Sequence, residues 1–259
     1  MTKASISAAA LGLALGLGAA SAASAAGGHA QLKDQSFSFE GALGHYDQAE
    51  LQRGFQVYDV VCKACHGLKY LPIRDIMAYE NQTGLGNAEG PRFSRGQAQA
   101  MAGHYEVPNL EGEPGDLRTA LLSDNFPAVT SAGAPDLTLM AKARPNGPLY
   151  IYSLLTSYTG EEIEQAGSIL YENHAFESGA LSMSPPLSDD VVEYADESVP
   201  RTVEQYAHDV SVFLAWAAEP DMVARKSAGL RNVLFLAFFS LLLWITNKKI
   251  WKKIKHPEA

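Results

Sequence analysis

The residues best suited to chemistry form one pentapeptide, Cys62-Lys63-Ala64-Cys65-His66. Two thiols on one turn can add across the two vinyl groups of a haem, and the histidine that follows then faces the porphyrin and can bind its iron. A thiol redox centre or half of a zinc site could also use two such cysteines. These are the only cysteines in the chain, and no βαβ pattern surrounds them. The motif therefore predicts one covalently attached haem c.

A second iron ligand would decide what that haem does. Methionine or histidine would make an electron carrier, whereas an open position would make a ligand binder or a peroxidase. Met183 is favoured because it lies in Met183-Ser-Pro-Pro186, where two prolines stiffen an extended loop that could hold a thioether on iron. The alternatives that remain open are Met77, Met101, Met140, His45, His104, His174 and His208.

Helices are predicted on both sides of the chain's middle. Asp47 is a suitable N-cap with Glu50 three residues on, and apolar residues then recur at helical spacing up to Tyr58. Gly54 would weaken this helix by about 1 kcal/mol, which predicts a close contact with another helix. Such a partner is predicted far downstream, beginning at the capping box Thr202-Val-Glu-Gln205 and ending at Glu219-Pro220.

Between these two helices the sequence is less regular. A further helix is predicted to begin at Pro148 and to run through Tyr158. From residue 78 to residue 134 the sequence is rich in glycine, proline and asparagine, with weak periodicity. This region is predicted to be loop-rich.

The two ends of the chain predict export and membrane anchoring. Residues 1–26 combine an early lysine, an apolar stretch and small residues, as in a cleaved signal peptide. Residues 225–251 are predicted to cross the bilayer as one helix, with a buried core helix as the alternative. Lysines enrich the end of that segment and the tail 252–259, which should therefore face the cytoplasm. Residues 27–224 would then form a periplasmic domain.

Charge is unevenly distributed along the chain. Residues 27–224 carry 28 acidic and 11 basic residues, a net charge of −17, against −9 for the whole chain. Such a surface repels nucleic acid and favours a basic partner. The predicted docking edge, for which a solvated loop is the alternative, is the run Asp189, Asp190, Glu193, Asp196 and Glu197. Because both cysteines lie in the haem motif, no structural disulfide is expected.

Longer stretches resemble the cytochrome c1 family, the haem subunits of the cytochrome bc1 complex. They are Arg53 to His66, Ala134-Pro-Asp-Leu137, Ala143-Arg144 with Tyr150 to Thr156, Met183-Ser-Pro-Pro186, and Phe213 to Pro220 with Arg225-Lys226. All c-type cytochromes share the C-x-x-C-H motif. The sequence Trp-Ala-Ala-Glu-Pro before a membrane anchor is far more specific to this family.

The resemblance implies a fold and a set of site residues. The fold is mainly α: a cytochrome c-like haem domain with loop-rich insertions, whose first and last helices cross, plus one C-terminal transmembrane helix. Met183 would bind iron opposite His66, and Arg144 and Tyr150 would lie near the haem propionates. The carbonyl of Pro135 would accept a hydrogen bond from the ligating imidazole. Some bacterial members carry a cysteine pair near the methionine ligand, and this chain has none, so packing and proline alone are expected to hold its loop.

The resemblance also implies a function and a location. The chain would carry single electrons from a Rieske iron-sulfur protein to a soluble basic c-type cytochrome, alongside cytochrome b in a dimeric complex at the inner membrane. Other subunits would handle quinol, so no complete catalytic site is expected here. Two rivals remain: a c-type subunit of another membrane oxidase or reductase, and a tethered thiol oxidoreductase without haem.

Overall fold

A computed structural model describes residues 31–255 apart from residues 85, 129, 130, 132 and 166. The predicted signal peptide and the last four residues of the basic tail lie outside the described residues. Six α-helices and five short strands occur within them, so the chain is mainly α, as predicted.

Helix α1 (Gln48–Val60) leads directly into the haem motif. It begins where the sequence predicts, because the Asp47 carboxylate accepts hydrogen bonds from the backbone N–H groups of Ala49 and Glu50. The Glu50 side chain instead accepts a hydrogen bond of 2.7 Å from Ser38. A 3₁₀ turn, Cys62–Ala64, follows the helix immediately.

The region between the haem motif and the next long helix contains short elements. Helix α2 (Arg95–Ala102) starts at a capping box formed by Ser94 and Gln97. The strands β1 (Glu106–Pro108) and β2 (Leu117–Thr119) pair antiparallel. The region that the sequence predicts as loop-rich therefore contains one helix and one hairpin among irregular segments.

Two helices and a sheet follow. Helix α3 (Met140–Ala143) is a single turn, and helix α4 (Gly147–Thr156) carries the predicted proline in its first turn. Its predicted end at Tyr158 is wrong by two residues, because Tyr158 begins strand β3. Strands β3 (Tyr158–Gln165), β4 (Ser168–Asn173) and β5 (Ala180–Leu181) form an antiparallel sheet in that order.

Helix α5 (Val203–Ala218) crosses α1 at Gly54. A Cβ atom on Gly54 would lie 2.0 Å from the carbonyl oxygen of Asp209, so only glycine allows the two backbones to approach this closely. This confirms the contact predicted for Gly54 and the crossing of the first and last helices of the domain. Every residue of α5 from Asp209 to Ala218 is buried, so the helix lies inside the core.

Aromatic side chains fill the core around this crossing. Phe55 of α1 packs edge-on against Phe213 of α5, with ring centroids 5.6 Å apart. Phe126, from the irregular region, packs against both Phe55 and Tyr58. The core therefore joins the helix that precedes the haem motif to the loops that follow it.

Helix α6 (Met222–Lys255) extends from the domain. A span of 31 residues, 222–252, is long and apolar enough to cross a membrane. At 1.5 Å per residue it measures about 46 Å, more than the ~30 Å of a bilayer core. None of its most apolar window is buried within the chain, so the alternative of a core helix is wrong. The helix begins three residues before the predicted anchor and continues into the tail.

Candidate haem site

The two cysteines lie on the turn at the end of α1. The backbone N–H groups of Cys65 and His66 both donate to the carbonyl of Cys62, at 3.2 and 2.9 Å, and this closes the turn. Both thiols are free, and that of Cys65 is exposed. Burial raises the pKa of the Cys62 thiol to about 12, which makes it a poor nucleophile for thiol–disulfide exchange. Within the described residues, no three His, Cys, Asp or Glu side chains form a group that could hold a metal ion.

The imidazole of His66 is oriented by a carbonyl. Its Nδ1 lies 2.7 Å from the backbone oxygen of Pro135. A carbonyl only accepts, so Nδ1 carries the proton and the lone pair of Nε2 is left for a metal. Two further hydrogen bonds fix the backbone here: Tyr58 donates to the carbonyl of His66 at 3.0 Å, and Leu137 N–H donates to the carbonyl of Gly67 at 2.9 Å.

Met183 follows the last strand of the sheet. Strand β5 pairs with β4, with Leu181 opposite Tyr171, and this places Met183 two residues beyond the ladder. The Tyr158 hydroxyl donates a hydrogen bond of 3.0 Å to the carbonyl of Met183. The expectation that packing and proline alone hold this loop is therefore wrong, because strand pairing and a tyrosine hydrogen bond also hold it.

Arg144 and Tyr150 form a second pair. Arg144 ends α3 and is exposed, while Tyr150 lies half-buried in α4. Burial raises the pKa of Tyr150, and the adjacent Arg144 opposes that increase. Burial likewise raises the pKa of Tyr158, and the nearby Tyr150 adds to the increase. Arg144 therefore lies near Tyr150, and Tyr150 near Tyr158, whose hydroxyl binds the backbone of Met183.

The seven predicted site residues fall into two groups. Cys62, Cys65, His66 and Pro135 form one group at the end of α1. Arg144, Tyr150 and Met183 form the other, between α3 and the sheet. Residues 135–144 connect the groups along the chain. Within the described residues, no hydrogen bond joins Met183 to His66.

The other candidate iron ligands lie in different surroundings. Met77 is completely buried in the core. The His208 ring stacks on Phe37 at 5.3 Å, and its Nδ1 lies 3.6 Å from the Asp209 carboxylate. His45, His104 and His174 are exposed. Met77 could therefore reach a haem only if the core opened.

Sequence reasoning missed two supporting tyrosines. The sequence places Tyr58 only in the apolar pattern of α1, whereas its hydroxyl donates a hydrogen bond to the backbone carbonyl of His66. Tyr158 was assigned to the end of a helix, although it anchors the Met183 loop. The contacts join residues 8 and 25 positions apart in the chain. Neither spacing is a pattern that secondary structure would reveal.

Comparison with known proteins places this arrangement in a family. The model of the Cytochrome C1 family matches residues 37–254. Cytochrome c1 of Cereibacter sphaeroides is 40% identical over 269 aligned residues, which cover 89% of this chain and 90% of that protein. Cytochrome c1 of Rhodospirillum rubrum is 38% identical over 259 residues, with coverage of 88% and 90%. "Cytochrome c1 1, heme protein, mitochondrial" of Arabidopsis thaliana is 37% identical over 234 residues, covering 83% and 71%. The matched range includes the haem motif, the Met183 loop and α6, and the chain belongs to the cytochrome c1 family.

Proposed function

We propose that this chain carries single electrons from a Rieske iron-sulfur protein to a soluble c-type cytochrome, as the haem subunit of a dimeric quinol–cytochrome c reductase that also contains cytochrome b. Haem c would be attached to Cys62 and Cys65, with His66 and Met183 as its iron ligands. Other subunits would carry out quinol oxidation.

The hydrogen bond between His66 and Pro135 carries this proposal. It favours the tautomer in which the lone pair of Nε2 is open to a metal, at the end of a turn that carries both cysteines. A surface histidine without a function would have no need of this orientation. Because a carbonyl also increases the basicity of the ring, the contact suits a histidine that must stay on iron in both oxidation states.

Each remaining site residue has a separate task. Met183 would supply a neutral thioether that favours ferrous iron and so raises the reduction potential. Arg144, exposed beside the Tyr150 phenol, would bind a propionate carboxylate. A haem bound by these residues supplies one reversible one-electron couple. The protein would position it and hold both iron ligands in place.

The rival assignments have less support. Tethered thiol exchange would use Cys62 and Cys65 but would give no role to the His66 imidazole, which Pro135 holds with Nε2 open to a metal. A c-type subunit of another oxidase or reductase would share the haem motif and the anchor, but the match over residues 37–254 is to the Cytochrome C1 family. The proposal therefore includes the partners of that family rather than those of an unrelated oxidase.

The topology is part of the proposal. The domain before α6 would lie in the periplasm and the C-terminus in the cytoplasm, as the signal-like N-terminus and the lysines around 248–255 indicate. A reporter enzyme that is active only after export should be silent when it is fused after Ala259. Reporter activity there would mean that α6 is inverted or does not span the membrane.

Purification in mild detergent tests the function. The pigment should stay with the protein through acid–acetone extraction, because two thioether bonds hold it. Cytochrome b and an iron-sulfur protein should co-purify, and added quinol should reduce the haem c only while the iron-sulfur protein is present. Pigment in the organic phase would refute covalent attachment, and reduction without the iron-sulfur protein would refute the electron path.

A further inference from the structure

A groove lies where the domain meets the transmembrane helix. It has a volume of about 390 Å³ and lies between the loop 42–44 and the segment of α6 that ends at Leu234. Leu43, Val223, Leu230 and Leu234 give it apolar walls. The helix residues that line it recur at three- and four-residue spacing, so they share one face of α6. None of the residues proposed to hold the haem lines this groove.

The loop that forms one wall is firmly fixed. Lys226 of α6 donates a hydrogen bond of 2.6 Å to the carbonyl of Phe39 and reaches the carbonyl of Gly44 at 3.5 Å. The Tyr46 hydroxyl donates to the carbonyl of Ala215 at 3.2 Å, which ties the end of the loop to α5. Hydrogen bonds to α5 and α6 therefore fix the loop that forms one wall of the groove.

The groove has a positive charge without an acidic partner. Arg225, on a neighbouring position, is paired with Glu219. Lys226 contacts only backbone carbonyls, and within the described residues no carboxylate lies at ion-pair distance from Arg231. Two cations thus line an apolar groove, which is complementary to a molecule with an anionic head and a hydrocarbon body.

The position of the groove indicates where that molecule would come from. Arg231 directly precedes the most apolar part of α6, which begins at Val233. Leu43, at the tip of the loop, exposes 81% of its surface beside this point. An exposed leucine beside an anchor is favourable in lipid and unfavourable in water. With α6 inserted in a bilayer, the groove would lie at the depth of the lipid headgroups, with its apolar wall towards the hydrocarbon.

We propose that this groove binds one anionic phospholipid, with Arg231 and Lys226 at its phosphate and with Leu43, Leu230 and Leu234 against an acyl chain. The lipid would fill the space between the domain and its anchor and so fix the angle at which the domain leaves the membrane. This role is independent of electron transfer, because none of these residues contacts the haem site.

Lipid retention by the full-length, haem-loaded protein tests the proposal. Native mass spectrometry from detergent should show one retained phosphatidylglycerol and much less phosphatidylcholine. One surface cation contributes about a fivefold change in affinity, so Arg231→Gln should reduce retention by about that factor. Arg92→Gln, which removes an exposed arginine outside the groove, is the matched control and should change nothing. Equal retention in both variants would overturn the proposal, and so would displacement of the lipid by inorganic phosphate.

A second experiment identifies the occupant in the assembled complex. A photoreactive amino acid in place of Leu43 should form an adduct with phospholipid when native membranes are illuminated. An adduct with cytochrome b or another subunit would show that protein covers the groove, and would overturn the proposal. The haem spectrum of this variant provides the check that the domain has folded.

Discussion

The hydroxyl of Tyr158 donates a hydrogen bond of 3.0 Å to the backbone carbonyl of Met183. This bond joins the first residue of β3 to the proposed iron ligand, and the pairing of β5 with β4 holds the same loop from its other side. A thioether is a weak ligand, so the surrounding protein must hold it in place. The sheet is the element that does so.

Removal of this hydroxyl should loosen the Met183 loop. Tyr158→Phe keeps the ring but leaves the carbonyl without its donor, at a cost of about 1 kcal/mol. Added imidazole should then displace Met183 from the ferric haem about fivefold more readily, as measured by an absorbance titration. Tyr171→Phe, on the neighbouring strand, is the control and should leave the imidazole affinity unchanged. Identical affinities in the two variants would mean that Tyr158 does not hold the loop.

The helix crossing should not tolerate a side chain at Gly54. A Cβ atom there would meet the carbonyl oxygen of Asp209 at 2.0 Å and the Cβ of Phe213 at 2.7 Å, and neither atom is the end of a flexible side chain. Gly54→Ala should therefore lower the free energy of unfolding by at least about 2 kcal/mol. Gly96→Ala, in a helix where a Cβ would meet nothing within 4 Å, should be neutral or stabilising. Denaturant unfolding compares the two, and equal effects would contradict the crossing.

A buried carboxylate at the same crossing should make stability depend on pH. The pKa of Asp209 is lowered: burial acts to raise it, but the nearby His208 and the two hydrogen bonds and positive charge of Arg53 together outweigh burial. The Asp209 carboxylate in turn raises the pKa of His208, against the opposing effect of burial. The carboxylate thus stabilises the fold above about pH 3.9, and the imidazolium does so below about pH 6.5.

The free energy of unfolding should therefore fall both below and above the pH range between these two limits. On the acid side, the contribution of Asp209 is lost as the pH drops through its folded pKa. On the alkaline side, the contribution of His208 is lost as the pH rises through its own. Asp209→Asn should reduce both slopes, whereas His45→Gln, at an exposed position, should keep them. Unfolding at a series of pH values measures this, and unchanged slopes in Asp209→Asn would contradict the assignment.

Two acidic side chains of the predicted docking edge already accept hydrogen bonds within the chain. Asp189 accepts a hydrogen bond from the N–H of Val203 and so caps α5, and Asp196 accepts one from Ser198. Glu193 and Glu197 are exposed. Replacing these two glutamates by glutamine should slow electron transfer to a basic cytochrome and weaken its salt dependence, because their attraction acts over about 8 Å at physiological ionic strength.

Stopped-flow oxidation of the haem at several salt concentrations measures this effect. The control is neutralisation of Glu161, Glu162 and Glu164 on the exposed strand β3. If that control slows the reaction and the variant at Glu193 and Glu197 does not, the docking site lies at strand β3.

The sequence predicts the parts of the fold that depend on residues close together in the chain. The N-cap Asp47 and the glycine at position 54 carry clear signals, and both elements are as predicted. The β3–β4–β5 sheet was missed because β3 is exposed along nearly its whole length and shows no alternation of apolar and polar residues. A strand held mainly by backbone pairing leaves little trace in the sequence.

The haem site likewise has parts that the local sequence predicts and parts that it does not. The C-x-x-C-H motif predicts Cys62, Cys65 and His66 as the haem attachment site because covalent attachment needs that spacing, and the three residues lie on one turn. The contacts of Tyr58 and Tyr158 depend on how the chain folds back, and no local pattern predicts them. The role of Met183 stays a prediction, since it depends on a ligand pair from opposite ends of the domain.

The carbon monoxide reactivity of a Met183→Leu protein tests the central claim most directly. Leucine keeps the volume of the side chain but cannot bind iron, while Cys62, Cys65 and His66 are untouched. The haem should stay covalently attached, the ferrous form should bind carbon monoxide, and the reduction potential should fall, because the ligand that favours ferrous iron is gone. A variant that keeps its potential and does not bind carbon monoxide would show that another residue, with His174 the next to test, is the ligand opposite His66.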